Sequence, residues 1–123
     1  IKFKIENLLK YKMSLIMDRL ATTRFDDKTW NENMKYRNSI NNTGCLYNVP
    51  RRISGNINPD IPIYCIEMNN TKNQVEGIGL IKNHLCLNKK HNIHEEKNYN
   101  RFTYKSKYRI TREEIINQDE RLI

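Results

Sequence analysis

The chain has 123 residues, of which 37% are hydrophobic and 29% charged, enough for one ordinary domain with one modest core and a wet surface. Its 22 basic and 14 acidic side chains give a formal net charge of +8, which favours polyanionic partners: nucleic acid first, an anionic membrane surface second. Three cysteines, Cys45, Cys65 and Cys86, with no CxxC pair argue against a disulfide framework and for a reducing, intracellular setting.

Ile5, Leu8, Leu9, Met13, Ile16, Met17 and Leu20 recur at spacings of three and four, which predicts an amphipathic helix over roughly 3–20 with lysines on its outer face. We assign residues 1–22 to this helix and 23–123 to a single α+β domain. Lys4, Glu6, Lys10, Lys12 and Asp18 interrupt the run, so it does not read as a bilayer span. It also lacks a signal-peptide cleavage pattern. Its expected role is docking, on the domain or on a protein partner. The chain begins with Ile1, and Met13 or Met17 is a candidate natural start.

A short helix follows over 30–38, with Thr29 and Glu32 spaced as a capping box. The run 41–44, NNTG, reads as a turn, 45–47 as a short strand stopped by Pro50, and 54–62 as loop with Gly55, Pro59 and Pro62. Residues 61–68, IPIYCIEM, form an apolar strand. Residues 75–82, VEGIGLIK, form its partner, and the polar stretch between them is a hairpin loop. Gly77 and Gly79 fall on one face and admit something close to the backbone, with a helix or a large core aromatic as the expected filler. After a polar loop over 84–96, Thr111 and Glu114 form a second capping box ahead of a terminal helix with Ile115, Ile116 and Leu122 as its apolar contacts.

The segment 97–109, KNYNRFTYKSKYR, carries the functional signal. Read as one strand, it places Arg101, Lys105, Lys107 and Arg109 on one face and Phe102, Tyr104, Tyr108 and Ile110 on the other, because strand side chains alternate. Four cations then make a positive track for phosphates, helped by Arg51 and Arg52. Tyr99 and Trp30 supply stacking surfaces for unpaired bases.

Catalytic and metal chemistry have less support. His84, Cys86, His91 and His94 are ligand types, but their spacing matches no standard zinc finger, so we expect no metal and no cofactor. No motif links a cysteine to a histidine, neither standard phosphate-binding glycine loop occurs, and the pairs Glu95-Glu96 and Asp26-Asp27 read as solvated charges or caps. We therefore expect no enzyme.

The hairpin strands 61–68 and 76–81, the second reading EGIGLI, resemble those of PUA-like modules, particularly the EVE and YTH-related branch. The segments RFDDKTWNENMKYR, IEMNNTKNQVEGIGLIKN and KNYNRFTYKSKYRI are similar to an uncharacterised protein family of large DNA viruses, over most of residues 24–112. The PUA-like resemblance implies a small mixed β-barrel or strongly bent sheet with flanking helices. It also implies RNA binding, or recognition of a modified base in an aromatic pocket, for which Trp30, Tyr36 and Tyr64 are the candidates. The expectation is a non-enzymatic module for RNA or single-stranded nucleic acid, in host cytoplasm, nucleus or virion if viral. The alternative is a structural component of a virion or other large assembly.

Overall fold

The computed structural model describes residues 19–122, with side chains described through residue 117. The predicted N-terminal helix lies outside the described residues except at its end, where the expectation fails: Leu20–Phe25 form strand β1. Thr22 and Thr23 are β-branched and suit an extended backbone, and β1 finds a parallel partner along its whole length.

The first helix, α1, spans Asp27–Ser39. Its cap is set three residues earlier than the spacing predicts. Asp26 accepts from Thr29 N at 2.8 Å, while the Thr29 hydroxyl accepts from Asp26 N at 3.0 Å. Glu32 is thereby left to bond elsewhere. Past the helix, Asn41 takes a left-handed φ of 55°, which asparagine tolerates, and turns the chain.

Five further strands follow: β2 Cys45–Val49, β3 Ile63–Asn69, β4 Gln74–Ile81, β5 Phe102–Ser106 and β6 Arg109–Thr111, with a 3-10 turn at Lys97–Asn100 and a terminal helix α2 at Arg112–Leu122. The α+β class is as expected. The strands divide into a four-stranded sheet, β1-β3-β4-β6, and a two-stranded sheet, β2-β5, and among the described residues they do not close into a barrel. The β3–β4 hairpin is antiparallel as predicted. Buried Asn69 holds its turn by accepting from Thr71 N and Lys72 N. The α2 cap also forms as predicted, with Thr111 and Glu114 bonding reciprocally.

The single basic strand over 97–109 does not form. It begins as the 3-10 turn, continues as β5 beside β2, and then crosses to the other sheet as β6 beside β4. The crossing at Lys107-Tyr108 resets the alternation. Tyr104 is buried as expected, but Tyr108 and Ile110 are exposed, and the Arg109 side chain turns inward.

Phe25, Trp30, Cys45, Tyr47, Ile63, Cys65, Ile81 and Tyr104 form the core. The glycine face of β4 is filled from within. A Cβ on Gly79 would strike the Tyr47 hydroxyl and would lie 2.8 Å from Cys45 Sγ. One on Gly77 would lie 2.8 Å from Glu67 Oε1 and 2.7 Å from Arg109 Nη2. The expected large aromatic is therefore Tyr47, joined by an ion pair. Glu67 Oε1 accepts from Arg109 Nη2 at 2.6 Å, Oε2 accepts from Arg109 Nε at 2.9 Å, and Oε2 also accepts from Tyr47 Oη.

Glu67→Gln should therefore destabilise the fold by about 3–5 kcal/mol, because it leaves the Arg109 guanidinium buried without its counter-charge. The shift of the urea midpoint measures it, and a loss below about 1 kcal/mol would contradict this role. Gly79→Ala should cost about 1–3 kcal/mol through overpacking against Tyr47 and Cys45, whereas Gly55→Ala, with open space around it, should be close to neutral.

Candidate nucleic-acid interface

The loop over 84–100 has no strand or long helix to hold it, so asparagine side chains serve as its scaffold. Asn48, buried in β2, donates from Nδ2 to His91 O at 2.7 Å and to Asn100 Oδ1 at 2.9 Å. Asn100 Oδ1 also accepts from Ile93 N and His94 N, and its Nδ2 donates to His94 O. From the other side, Glu32 of α1 accepts from Glu95 N and bonds His94 Nδ1, both at 2.9 Å. Ile93 and the two histidines are pinned inside, which turns Lys89, Lys90 and Lys97 outward.

These lysines meet cations from two other segments. Arg101 follows the 3-10 turn, Lys105 projects from β5, and Arg52 reaches over from the loop after Pro50. The guanidinium carbons of Arg101 and Arg52 lie 5.4 and 5.9 Å from the centre of the Phe102 ring, which braces both by cation–π attraction. A shallow cavity of about 540 Å³ is lined by Lys90, Asn92, His94, Glu95, Lys97, Asn100 and Arg101. It adjoins a second of about 310 Å³ that shares Lys90, Asn100 and Arg101 with it. Among the described residues, none of Arg52, Lys89, Lys90, Lys97, Arg101 or Lys105 has a carboxylate within ion-pair distance. Unneutralised cations around concave surface are what a phosphate backbone requires.

The structure brings some of the predicted site residues near one another and separates others. Arg52 and Arg101 meet at the Phe102 ring, Lys105 is exposed three residues along β5, and Tyr99 is 42% exposed with its ring edge-on to His94. Arg51 is exposed on the same loop as Arg52. Lys107 is exposed at the crossing between sheets, with its ammonium over the Tyr108 ring. Arg109 is lost to the site because Glu67 claims it. Burial alone would lower its pKa, but the hydrogen bond and charge of Glu67 outweigh that and hold it raised.

The proposed base pocket does not assemble. Trp30 is enclosed in the core, edge-on to Phe25, with Arg37 and Arg109 each within 6 Å of its ring centre. Tyr36 packs on His91, and Tyr64 lies on the outer face of the large sheet beside Tyr108 and Ile110. Enclosure leaves Trp30 no face on which a base can stack. In the sequence, Lys89, Lys90 and Lys97 look like background charge, and nothing marks Asn48 or Asn100 as structural. A strand asparagine matched by another ahead of the basic run is the only signal that could have found them.

The histidine-rich segment is drawn into separate bonds. His94 bonds Glu32, His91 Nδ1 bonds Tyr36 Oη at 2.8 Å, and among the described residues no group of three or more His, Cys, Asp or Glu side chains is placed to hold a metal ion. Cys45, Cys65 and Cys86 are all free thiols. No helix among the described residues is long and apolar enough to cross a membrane.

Comparison with protein-family models, curated proteins and solved structures gives no match. The viral and PUA-like resemblances rest on the quoted segments alone.

Burial, then the charges of Lys105 and Lys89, push the His91 imidazole below its ordinary value of 6.5. Below that pH an unfolded chain binds a proton that folded His91 refuses, so stability falls as pH drops through the interval beneath 6.5. Glu32 adds a loss only beneath its ordinary value of 4.5. Burial would raise its pKa, but the bonds from Glu95 N and His94 prevail and lower it. The urea midpoint should therefore drop between about pH 7.5 and about pH 5.5, and His91→Gln should remove most of that drop. An unchanged slope in the variant would contradict it.

Proposed function

We propose that this protein is a non-enzymatic nucleic-acid-binding module for RNA or single strands, acting inside the cell. One observation carries the reading. Six exposed cations from three chain segments, Arg52, Lys89, Lys90, Lys97, Arg101 and Lys105, have no carboxylate partners among the described residues, and four of them, Lys89, Lys90, Lys97 and Arg101, line adjoining shallow cavities. Phosphate contacts supply most sequence-independent affinity, and counterion release makes it salt-dependent. Tyr99 and the part-exposed Phe102 offer ring surface at the edge of this patch for stacking unpaired bases. Recognition of a modified base in a pocket of Trp30, Tyr36 and Tyr64 forms no part of the proposal, because Trp30 is enclosed and the three stand apart.

A second reading, a structural component of a virion or other large assembly, is favoured by a different surface. Tyr64, Tyr108 and Ile110 are 39%, 57% and 44% exposed on one face of the large sheet, around an almost wholly apolar hollow with Ile78 and Leu80. Contiguous apolar surface on a sheet is characteristic of protein contact. In this reading the N-terminal segment is a further docking element.

Single-stranded RNA binding at several salt concentrations separates the two. Arg101→Gln with Lys105→Gln should weaken binding and lower the salt slope by about 1.4, at about 0.7 for each phosphate no longer neutralised. Folding stability should hardly change, since both side chains are solvated. If the double variant binds as the parent does at every salt concentration, the patch is only a solvated edge and the assembly reading takes its place.

A further inference from the structure

Beside the exposed lysines, the same loop brings a thiol and an imidazole together. Cys86 is half-buried, and its Sγ lies 3.9 Å from His91 Nε2. His91 is 2% exposed, and its other nitrogen is fixed by Tyr36 Oη at 2.8 Å with the two rings edge to face. Sequence spacing gives no sign of this arrangement. The imidazole is held between α1 and the loop, with one nitrogen tied down and the other aimed at a thiol. Nucleophile, base and orienting group in line form the geometry from which activated cysteines are built.

The surroundings choose a co-reactant. Cys86 and His91 line the cavity of about 310 Å³ together with Lys89, Lys90 and Arg101. Three cations at the mouth attract an anion. Burial, and after it the charges of Lys105 and Lys89, favour the neutral form of His91, which is able to take a proton. Cys45 and Cys65 offer no competition. Both are buried in the core, and burial followed by the charge of Glu67 pushes the Cys65 thiol up to about 12.

We propose that Cys86 is a reactive thiol that exchanges with small anionic disulfides, with His91 as its proton acceptor and Lys89, Lys90 and Arg101 as the anion site. With the ring proton on Nδ1, that nitrogen donates to Tyr36 Oη, and Nε2 presents its lone pair to Cys86. The thiol proton, which otherwise goes to Asn88 Oδ1 at 3.1 Å, passes to Nε2. The thiolate attacks one sulfur of the disulfide. A Cys86–sulfur bond forms, the incoming sulfur–sulfur bond breaks, and the departing thiolate takes the proton back from His91. Cys86 is oxidised to a mixed disulfide, half of the co-reactant is reduced to a thiol, and no other reductant or oxidant is needed.

The test uses three disulfides of different charge on the full chain, with mass spectrometry locating the adduct. Glutathione disulfide is anionic, hydroxyethyl disulfide neutral and cystamine cationic. We expect one adduct per chain, at Cys86. The anionic reagent should react about tenfold or more faster than the neutral one, each rate taken relative to a free thiol, because a cationic cleft concentrates anions. Lys89→Gln with Lys90→Gln should shrink that ratio. His91→Gln should slow exchange by about tenfold or more and erase the inflection that His91 places in the pH–rate profile. Should His91→Gln fail to fold, Tyr36→Phe decides: as the loss of a positioning residue it should shift the same inflection. Equal relative rates with all three reagents, adducts spread over Cys45 and Cys65, or a pH profile unmoved by both variants would overturn the proposal.

Discussion

One buried carboxylate holds this fold together. Glu67 sits in the middle of β3 with its side chain almost wholly enclosed, and three elements converge on it. Arg109 brings β6, Tyr47 brings β2 and thereby the small sheet, and Arg109 with Arg37 brackets Trp30 of α1. An unpaired ion in such a place would be prohibitively costly, so the carboxylate demands partners and fixes where they stand. The two glycines of β4 follow from this demand. They clear room for the ion pair and the tyrosine, and side chains there would push both away.

The basic surface is a consequence of the same arrangement. Because Arg109 must reach Glu67, the chain leaves the small sheet after β5 and enters the large one as β6. β5 therefore stays beside β2, where Asn48 grips the preceding loop. The loop's buried side chains are satisfied by hydrogen bonds, leaving its lysines nowhere to go but solvent. Cations far apart in sequence, Arg52 and Arg101, meet over Phe102 at the end of the β2-β5 pair where Val49 faces Phe102, and Lys105 lies exposed farther along β5. The basic surface and the Cys86–His91 contact share this loop, so both inherit their geometry from a few asparagine bonds and not from regular secondary structure.

The composition and the local spacing carried the fold class, the β3–β4 hairpin, the turn after α1, the strand before Pro50 and the terminal cap. Each depends on residues within a few positions of one another: alternation, turn-forming asparagines, a threonine three residues before a glutamate. The excess of basic side chains was also legible without any knowledge of the fold. The exposure of Arg52, Arg101 and Lys105 was legible because cations in a short run tend to stay in solvent.

Tertiary structure decided what depends on distant partners. Nothing local distinguishes Arg109 from Lys107, yet one is buried and the other is solvated, because only Arg109 has Glu67 opposite it, forty-two positions away along the chain. The same pairing broke the 97–109 strand and moved Tyr108 and Ile110 to the surface. Trp30 read as a stacking surface and became core because α1 is clamped onto β2 by Asn33, which donates to Leu46 O and is itself steadied within the helix by accepting from Arg37 Nε. Period-two alternation assumes one continuous strand. A buried charge that must find its counter-charge overrides it, since the cost of an unpaired ion exceeds any preference of the local backbone.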